Sequence, residues 1–387
     1  MAQSGFDTLK NPEIKQVDLI DVAERIIDKN APNREDLVKN NKGRIHFGVI
    51  PAFGYSLQTG FAGVISANAA FFTSNHNHET ENISTVITSL AFTQESQVIF
   101  PIASSIWTKN NKYNILTDWR YLKYPSDTYG LGGNTKQDSS YELDYYYIKL
   151  HQALLRKIGK DFYAGIGFDF DYFWNIRELP PLPDHETDFE KYGYNKTEKS
   201  SGISINVKYD SRRNPINPQK GIFANIIYSP KFTFLGSDAN WQSLLLEFRG
   251  YVPLHSRSEN ILAFWSYNWF TTGGKPPYLL LPSTGWDEFS NTGRGYIQGR
   301  FRSTNMIYDE AEYRFVISRN GLFGGVVFLN AETFSEINTG KYETVSPGAG
   351  LGIRIKLNKF SRTNIAVDYG WGTQGSRGFF VNLGEVF

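Results

Sequence analysis

The chain has 387 residues, a net charge of +1 and no cysteine, which excludes disulfides and thiol chemistry and gives no support for nucleic-acid binding. It contains no run of about 18 apolar residues, so a transmembrane helix is excluded. Aromatic residues make up 16% of the chain, and aromatic girdles at the two lipid interfaces of a β-barrel would explain that amount.

Residues 1–43 differ from the rest and form a first predicted domain, a polar N-terminal tail in the periplasm. Between Asp18 and Lys29 the apolar residues recur at helical spacing, and Asp18 can cap the helix. This pattern predicts one short amphipathic helix that plugs a barrel or lies below it; a loosely ordered terminus is the alternative. The first five residues lack the features of a signal peptide, so we expect a signal to have been removed before residue 1.

Residues 44–387 form the second predicted domain, in which apolar residues recur with a period of two. Between Asp161 and Trp174, for example, one face is apolar and the other carries Gly165, Gly167, Asp169 and Asp171. An apolar outer face and a polar inner face are typical of a barrel wall. The alternation predicts sixteen strands, at 44–55, 58–74, 83–94, 97–108, 112–124, 140–156, 161–177, 200–211, 220–234, 240–254, 260–273, 303–317, 322–335, 346–358, 362–373 and 378–387.

The connections between these strands alternate in length. Those at 125–139, 178–199, 274–302 and 336–345 are long, and those at 157–160, 212–219, 255–259, 318–321 and 359–361 are short. Outer-membrane barrels have long extracellular loops and short periplasmic turns. The predicted fold class is therefore all-β, a transmembrane antiparallel β-barrel of sixteen strands in the bacterial outer membrane with a short N-terminal helical tail. A soluble β-sandwich is the alternative.

No motif indicates catalysis or metal binding. The segment His76-Asn77-His78-Glu79 fits a solvated polar turn better than a metal site, because it has no established ligand spacing. Gly348-x-Gly350-x-Gly352 opens no helix, so we interpret these glycines as inward residues of a crowded wall rather than a phosphate-binding loop. There is no GxSxG elbow, and a barrel-embedded hydrolase stays open only by elimination. We expect no catalytic residue, no cofactor and no metal.

Five segments of the second half resemble the BamA/TamA-like outer-membrane barrels, also called the bacterial surface antigen family. They are Asp210-Ser211-Arg212-Arg213-Asn214-Pro215 in a short turn, Gly293-Arg294-Gly295-Tyr296 in the longest loop, Ala311-Glu312-Tyr313-Arg314-Phe315 in strand twelve, Gly348 to Arg354 in strand fourteen, and the terminus from Phe379 to Phe387. Gly293 stands where the family usually has an aliphatic residue. Tyr129-Gly130-Leu131-Gly132 is a weaker similarity.

The resemblance implies a set of site residues. The terminus resembles the family's C-terminal insertion signal, formed here by Phe379, Val381, Leu383 and Phe387. The loop tetrad is expected to fold into the lumen, where Arg294 needs carboxylate partners because an unpaired buried charge is costly. The expected inner-wall residues are Glu310, Glu312 and Arg314 of strand twelve and Glu332 of strand thirteen, where Asn330 replaces a frequent Asp. An exposed loop arginine is the alternative.

The resemblance also implies a function, in outer-membrane protein assembly or translocation, with a barrel that opens between its first and last strands. Its expected partners are outer-membrane lipid and other outer-membrane or periplasmic proteins, and not nucleic acid. Members that insert other barrels carry POTRA domains, for which the 43 residues before strand one are too few. The alternative is therefore a POTRA-less structural or lipid-perturbing module, oligomeric or not, without insertase activity. A passive pore is a third hypothesis.

Overall fold

Sixteen antiparallel strands form one sheet that curls into a barrel. The structure, a computed structural model, describes residues 16–27, 46–56, 58–73, 81–180, 185–255, 259–288, 290–359 and 361–387. The strands are β1 (His46–Ser56), β2 (Gly60–Phe71), β3 (Ser84–Thr93), β4 (Val98–Trp107), β5 (Tyr113–Lys123, continued by Ser126–Thr128), β6 (Tyr141–Gly159), β7 (Phe162–Leu179), β8 (Thr197–Asp210), β9 (Gly221–Lys231), β10 (Trp241–Pro253), β11 (Ile261–Gly274), β12 (Asn305–Val316), β13 (Phe323–Ser335), β14 (Tyr342–Asn358), β15 (Thr363–Trp371) and β16 (Arg377–Leu383).

Each strand pairs with the next one along the chain, and the first strand contacts the last. Both segments of β5 pair with β6, so they occupy a single position in the wall. The predicted barrel of sixteen strands is thereby confirmed. No helix of the described residues is long and apolar enough to cross a membrane.

The period-two alternation explains which side chains face inward. On β7 the outward Ile166 is 69% exposed, whereas Asp171 on the opposite face is 2% exposed. Successive side chains of a strand point to opposite faces, so polar residues collect in the lumen and apolar residues collect outside. The inward glycines expected on β14 are found there: a Cβ on Gly348 would lie 2.9 Å from the carbonyl oxygen of Arg294.

Several strand ends differ from the sequence prediction by three or four residues, among them those of β8, β14 and β16. β8 begins at Thr197 instead of 200, and β14 begins at Tyr342 instead of 346, because both ladders continue above the apolar part of the wall. β16 ends at Leu383 instead of 387. Gly384 has φ +102, a conformation that favours glycine, and it turns the last three residues out of the wall.

The helix predicted in the N-terminal tail is confirmed as α1 (Leu19–Ile27). Asp18 caps it, since its Oδ1 accepts a hydrogen bond from the Asp21 amide at 2.8 Å. We call the barrel end with the short connections the short-turn end and the opposite end the long-loop end. The helix lies at the short-turn end, where Lys359 Nζ is 2.8 Å from Asp21 Oδ2 and the Val17 amide donates to the Asn320 carbonyl.

A second helix, α2 (Asp188–Gly193), lies in the long connection between β7 and β8 and was not predicted from the sequence. Thr187 and Glu190 form a capping box at its start. Its Phe189 is buried against Tyr278 of the β11–β12 connection, with ring centroids 5.1 Å apart. The helix therefore helps to hold that connection at the long-loop end.

Candidate functional site

The connection between β11 and β12 enters the barrel. We call residues 275–304 the lumen loop. Its first part packs into an apolar cluster on the inner wall, where Tyr278, Leu279 and Leu281 are buried. The wall side of this cluster includes the stacked rings of Tyr147 and Phe173, whose centroids are 4.1 Å apart. Burial of these apolar side chains stabilises the inward position of the loop.

The two glycines of the tetrad allow its backbone to pass directly over the wall. Gly293 has φ +78 and Gly295 has φ +112. A Cβ on Gly295 would lie 2.8 Å from the carbonyl group of Trp371, and one on Gly370 would lie 2.7 Å from the Gly295 nitrogen. The loop and β15 therefore approach to a distance that leaves no room for a side chain on either backbone.

Arg294 is fully buried between these glycines. Its guanidinium forms ion pairs with Glu310 and Glu312 of β12, and Nη1 donates to Asp368 Oδ2 of β15 at 2.5 Å. It also lies over the ring of Phe328, 3.7 Å from the centroid. Three carboxylates from two strands and an aromatic face thus fix one guanidinium, a geometry that suits its planar array of donors.

The network of charges continues beyond Arg294 towards the C-terminus. Glu312 also accepts from Arg314 Nε at 2.5 Å. Asp368 also pairs with Arg354, whose Nε donates to Glu385 Oε2 at 2.7 Å. Positive and negative groups alternate along this path, so few buried charges lack an opposite neighbour, which reduces the cost of burying them.

Electrostatics keep the loop arginine charged. Burial by itself would lower the pKa of Arg294, but the Coulomb attraction of Glu310, Glu312 and Asp368 outweighs it and raises this pKa well above its ordinary value. The carboxylates in turn depend on the guanidinium for compensation. Removing either side would leave the remaining buried charges with less compensation.

The predicted inner-wall residues do not all meet Arg294. Glu310 and Glu312 contact it directly, and Arg314 joins through Glu312. Glu332 was expected as a partner, but its Oε2 instead accepts a hydrogen bond of 2.9 Å from Thr284 of the lumen loop. Asn330 Nδ2 donates to the Arg294 carbonyl at 2.9 Å. The loop therefore bonds to β13 through Thr284 and the Arg294 main chain rather than through an ion pair.

Sequence reasoning missed Asp368 and Glu385. Asp368 is directly opposite Gly352 in the β14–β15 ladder, and an inward carboxylate facing an inward glycine was a usable signal. Glu385 was assigned to the last strand, although it follows the turn at Gly384. Its place in the lumen depends on that turn, which strand periodicity does not reveal.

The predicted C-terminal signal residues divide into two groups. Phe379, Val381 and Leu383 are exposed on the outer face of β16, whereas Phe387 is 3% exposed inside the barrel. The ring of Phe387 stacks on Trp265 with centroids 5.2 Å apart, and its carbonyl accepts from Arg314 Nη2 at 3.0 Å. The terminal aromatic residue therefore belongs to the inner core, unlike the three signal residues on the outer face of β16.

Other contacts close the long-loop end over the lumen loop. The weakly family-like segment Tyr129-Gly130-Leu131-Gly132 lies here, and the Gly132 amide donates to the Arg302 carbonyl at 2.8 Å. Arg300 Nη1 donates to Thr135 Oγ1 at 2.8 Å. Tyr296 Oη donates to the Pro347 carbonyl at 2.6 Å. The lumen loop is thus tied both to the wall below and to a neighbouring connection.

A cavity of about 450 Å³ remains beside the lumen loop. Its wall carries close pairs of opposite charges, Asp118–Lys149, Asp169–Lys231 and Glu247–Arg249, each with an N–O distance of 2.6 Å. Within the described residues, no three His, Cys, Asp or Glu side chains form a metal site. The segment His76-Asn77-His78-Glu79 is outside the described residues. The charged side chains of these three pairs are paired with each other within a cavity wall that also carries many apolar and aromatic side chains.

Comparisons with known proteins identify a family and several solved structures that are similar to this chain. The model of one family, the Omp85 superfamily domain, matches residues 53–387. A comparison with curated proteins finds no match. Among solved structures, BamA from Haemophilus ducreyi lacking POTRA domains 1–3 is 17% identical with a TM-score of 0.55, over 89% of this chain and 69% of that one.

Two further similar structures are CdiB proteins. CdiB from Acinetobacter baumannii is 13% identical with a TM-score of 0.53, and the match covers 89% of this chain and 66% of that one. CdiB from Escherichia coli is 10% identical with a TM-score of 0.54, over 92% and 73% of the two chains. At these identities the likeness to the solved structures concerns the fold.

Proposed function

The chain belongs to the Omp85 superfamily, and we propose that this outer-membrane barrel assists the assembly or translocation of other proteins at the seam between β1 and β16, without enzymatic chemistry. The observation that carries the proposal is the shortness of the last strand. β16 has 7 residues, whereas β14 has 17 and β1 has 11. A short strand leaves part of its neighbour's edge without a ladder partner.

An exposed strand edge can bind another chain. Its amide and carbonyl groups offer the same hydrogen bonds that join strands within the wall, and an extended polypeptide can add to them. β1 and β16 lie against each other, so separating them would provide two such edges. A nascent membrane strand arriving from the periplasm would be the partner.

The position of the charge network is compatible with opening of the wall between β1 and β16. Glu385, just after β16, is held by Arg354 of β14 and by Asn364 of β15, whose Nδ2 donates at 2.6 Å. The end of the chain is therefore anchored to the wall on its own side of the seam. Separation of β1 from β16 can leave the lumen loop, the C-terminal residues and the Arg294 network in place.

A disulfide lock across the seam tests the proposal, because the chain has no native cysteine. Single cysteines along β1 would be combined with Val381→Cys, and the pair that oxidises most completely would be kept. Val367→Cys with Val381→Cys is the matched control, since these residues are register partners within the wall. The measurement is the folding rate of an unfolded outer-membrane barrel in vesicles that contain each variant.

We expect unlocked protein to accelerate this folding several-fold. The seam lock should abolish the acceleration, a reductant should restore it, and the control pair should have no effect. Acceleration that persists through a complete seam lock would contradict the proposed role of the seam.

A second candidate is a lipid-perturbing module, and the outer wall supplies an observation that favours it. The outward apolar residues of β16 extend only from Phe379 to Leu383, whereas those of β14 extend from Val345 past Ile353. A shorter apolar wall thins the adjoining bilayer at modest cost. Reduced lipid order around the protein, together with no acceleration of barrel folding by either the locked or the unlocked form, would favour this function.

A further inference from the structure

A polar patch interrupts the apolar outer wall where β11 meets β12. It consists of Ser266, Asn268 and Asp309, and we call it the outer polar patch. Ser266 and Asp309 are register partners on the two strands, and Asn268 Nδ2 donates to Ser266 Oγ at 2.9 Å. Asp309 is exposed, on the face of β12 opposite the buried Tyr308 and Glu310.

The patch lies within the apolar band and not at its rim. On β12, Tyr313 and Phe315 form a stacked outward pair near the short-turn end, as expected at a lipid interface. Asp309 precedes Tyr313 by four residues, which corresponds to about 13 Å along the strand. Because barrel strands are tilted, Asp309 lies about 10 Å inside an apolar band that is about 25 Å tall. Phe264 and Phe270 flank the patch along β11.

Asp309 is unusual among the charged residues of the outer wall. Within the wall whose side chains the structure describes, the other outward charges stand at or near strand ends, as Lys123, Arg156, Lys199 and Arg377 do. The Asp309 side chain forms no ion pair or hydrogen bond with any described residue. An ionisable side chain that faces lipid is energetically unfavourable and usually has a polar partner. A second protein surface at this depth could supply hydrogen-bond partners for Asp309.

We propose that the outer polar patch is the contact between two copies of this chain in a two-fold dimer within the membrane. Both copies keep the same orientation in the bilayer only if the two-fold axis runs along the membrane normal. An axis beside the patch places β11 of one copy against β12 of the other at equal height. Because Ser266 and Asp309 are register partners, each Asp309 then faces the Ser266 and Asn268 of its partner.

The chemistry of the patch fits this symmetry. Asp309 is an acceptor, while the Ser266 hydroxyl and the Asn268 amide are donors, so two copies can satisfy each other reciprocally, as isologous interfaces do. Hydrogen bonds between membrane-embedded surfaces stabilise their association. The described outer wall carries no cation at this depth, so the pairing would rest on hydrogen bonds rather than on ion pairs.

Cysteine cross-linking in native outer membranes tests the proposal on the full chain. Ala311→Cys places one thiol next to Asp309 on the same outward face, and Ala164→Cys places one on the outward face of β7, remote from the patch. We expect a short bis-maleimide to link Ala311→Cys to itself, and to link Ala164→Cys at least five-fold less. Heat-dependent migration on gels shows that each variant is folded.

Substitutions at the patch complete the experiment. Adding Asp309→Ala should reduce the Ala311→Cys dimer at least five-fold, whereas Asp309→Asn, which still accepts hydrogen bonds, should retain most of it. Absence of a self-linked dimer from folded Ala311→Cys would overturn the proposal. Capture of a different membrane protein instead of a second copy would also overturn it, and so would a dimer that Asp309→Ala leaves unchanged.

Discussion

Arg294 and Asp368 are 74 residues apart in the chain and are joined inside the barrel by a hydrogen bond of 2.5 Å between Nη1 and Oδ2. This contact ties the lumen loop to β15, and through Arg354 the same carboxylate is linked to Glu385 near the C-terminus. The loop, the inner wall and the last residues of the chain therefore share one charge network. A substitution in any one of these three parts is therefore expected to change the stability of the other two.

Replacing Arg294 with alanine should destabilise the barrel. It leaves Glu310, Glu312 and Asp368 buried with less positive charge, and breaking a buried pair of this kind costs roughly 3–5 kcal/mol. We expect earlier unfolding in urea and faster protease cleavage within the lumen loop. Arg294→Lys should rescue only part of the loss, because an ammonium group cannot donate in the same planar array.

Arg377→Ala is the control for this experiment, since Arg377 is exposed at a strand end and surface substitutions usually change stability by less than about 0.5 kcal/mol. Equal stability and equal loop protection in Arg294→Ala and Arg377→Ala would show that the network does not hold the loop.

Replacing Gly295 with alanine separates two costs at the tetrad. The substitution imposes a strained positive φ and also a Cβ that would lie 2.8 Å from the Trp371 carbonyl group. Gly340→Ala imposes a positive φ as well, but its Cβ would have no heavy atom within 4 Å. We expect Gly295→Ala to displace the lumen loop and to lower the unfolding midpoint clearly more than Gly340→Ala does. Similar midpoints would mean that the close approach to β15 does not constrain the loop.

Replacing Phe387 with alanine should weaken the folded barrel. Its ring packs on Trp265 inside the lumen, and deletion of a buried phenylalanine side chain costs roughly 3–5 kcal/mol in well-packed cores. Phe379→Ala is the control, because Phe379 is 47% exposed on the outer face. The measurement is the urea midpoint of protein that has already folded in vesicles. A larger loss for Phe379→Ala than for Phe387→Ala would contradict the inward placement.

Replacing Lys359 with alanine should release α1 from the barrel. The Lys359 ammonium group donates a hydrogen bond of 2.8 Å to Asp21 Oδ2, and the Lys359 backbone N–H donates one of 2.8 Å to Asp18 Oδ2. We expect faster trypsin cleavage after the exposed Arg25, with little change in barrel stability, and no effect of Lys341→Ala at the long-loop end.

Deleting residues 1–40 should leave the barrel able to fold, because no strand is lost. A deletion that prevents insertion into membranes would show that the tail is part of the fold and that the domain boundary near residue 43 is wrong.

The strands of the wall could be predicted from the sequence because the facing of each side chain depends only on its position along its own strand. Alternation along one strand decides which side chains face inward, and it placed Glu310, Glu312 and Arg314 together on β12. The partner of Arg294 on β15 could not be chosen in this way. Asp368 and Glu332 are both inward carboxylates that meet the lumen loop, and which one pairs with Arg294 depends on where the tetrad crosses the wall.

The C-terminal turn shows a second limit of strand periodicity. Phe379, Val381 and Leu383 alternate as expected, and nothing in that pattern ends the strand before Phe387. The turn at Gly384 is instead stabilised by distant residues, since Glu385 meets Arg354 and Phe387 meets Trp265. Glycine allows the turn, but contacts from other strands determine that it is made.

Hydrogen exchange of the folded protein in lipid bilayers tests the central claim, that the wall opens between β1 and β16. Amides in interior strands are protected by two neighbours, whereas the short β16 depends on β15 and on the seam. The account predicts that amides of residues 377–383 exchange at least ten-fold faster than those of residues 346–371. Equal protection of β16 and the interior strands would contradict opening at the seam and would favour a rigid, structural barrel.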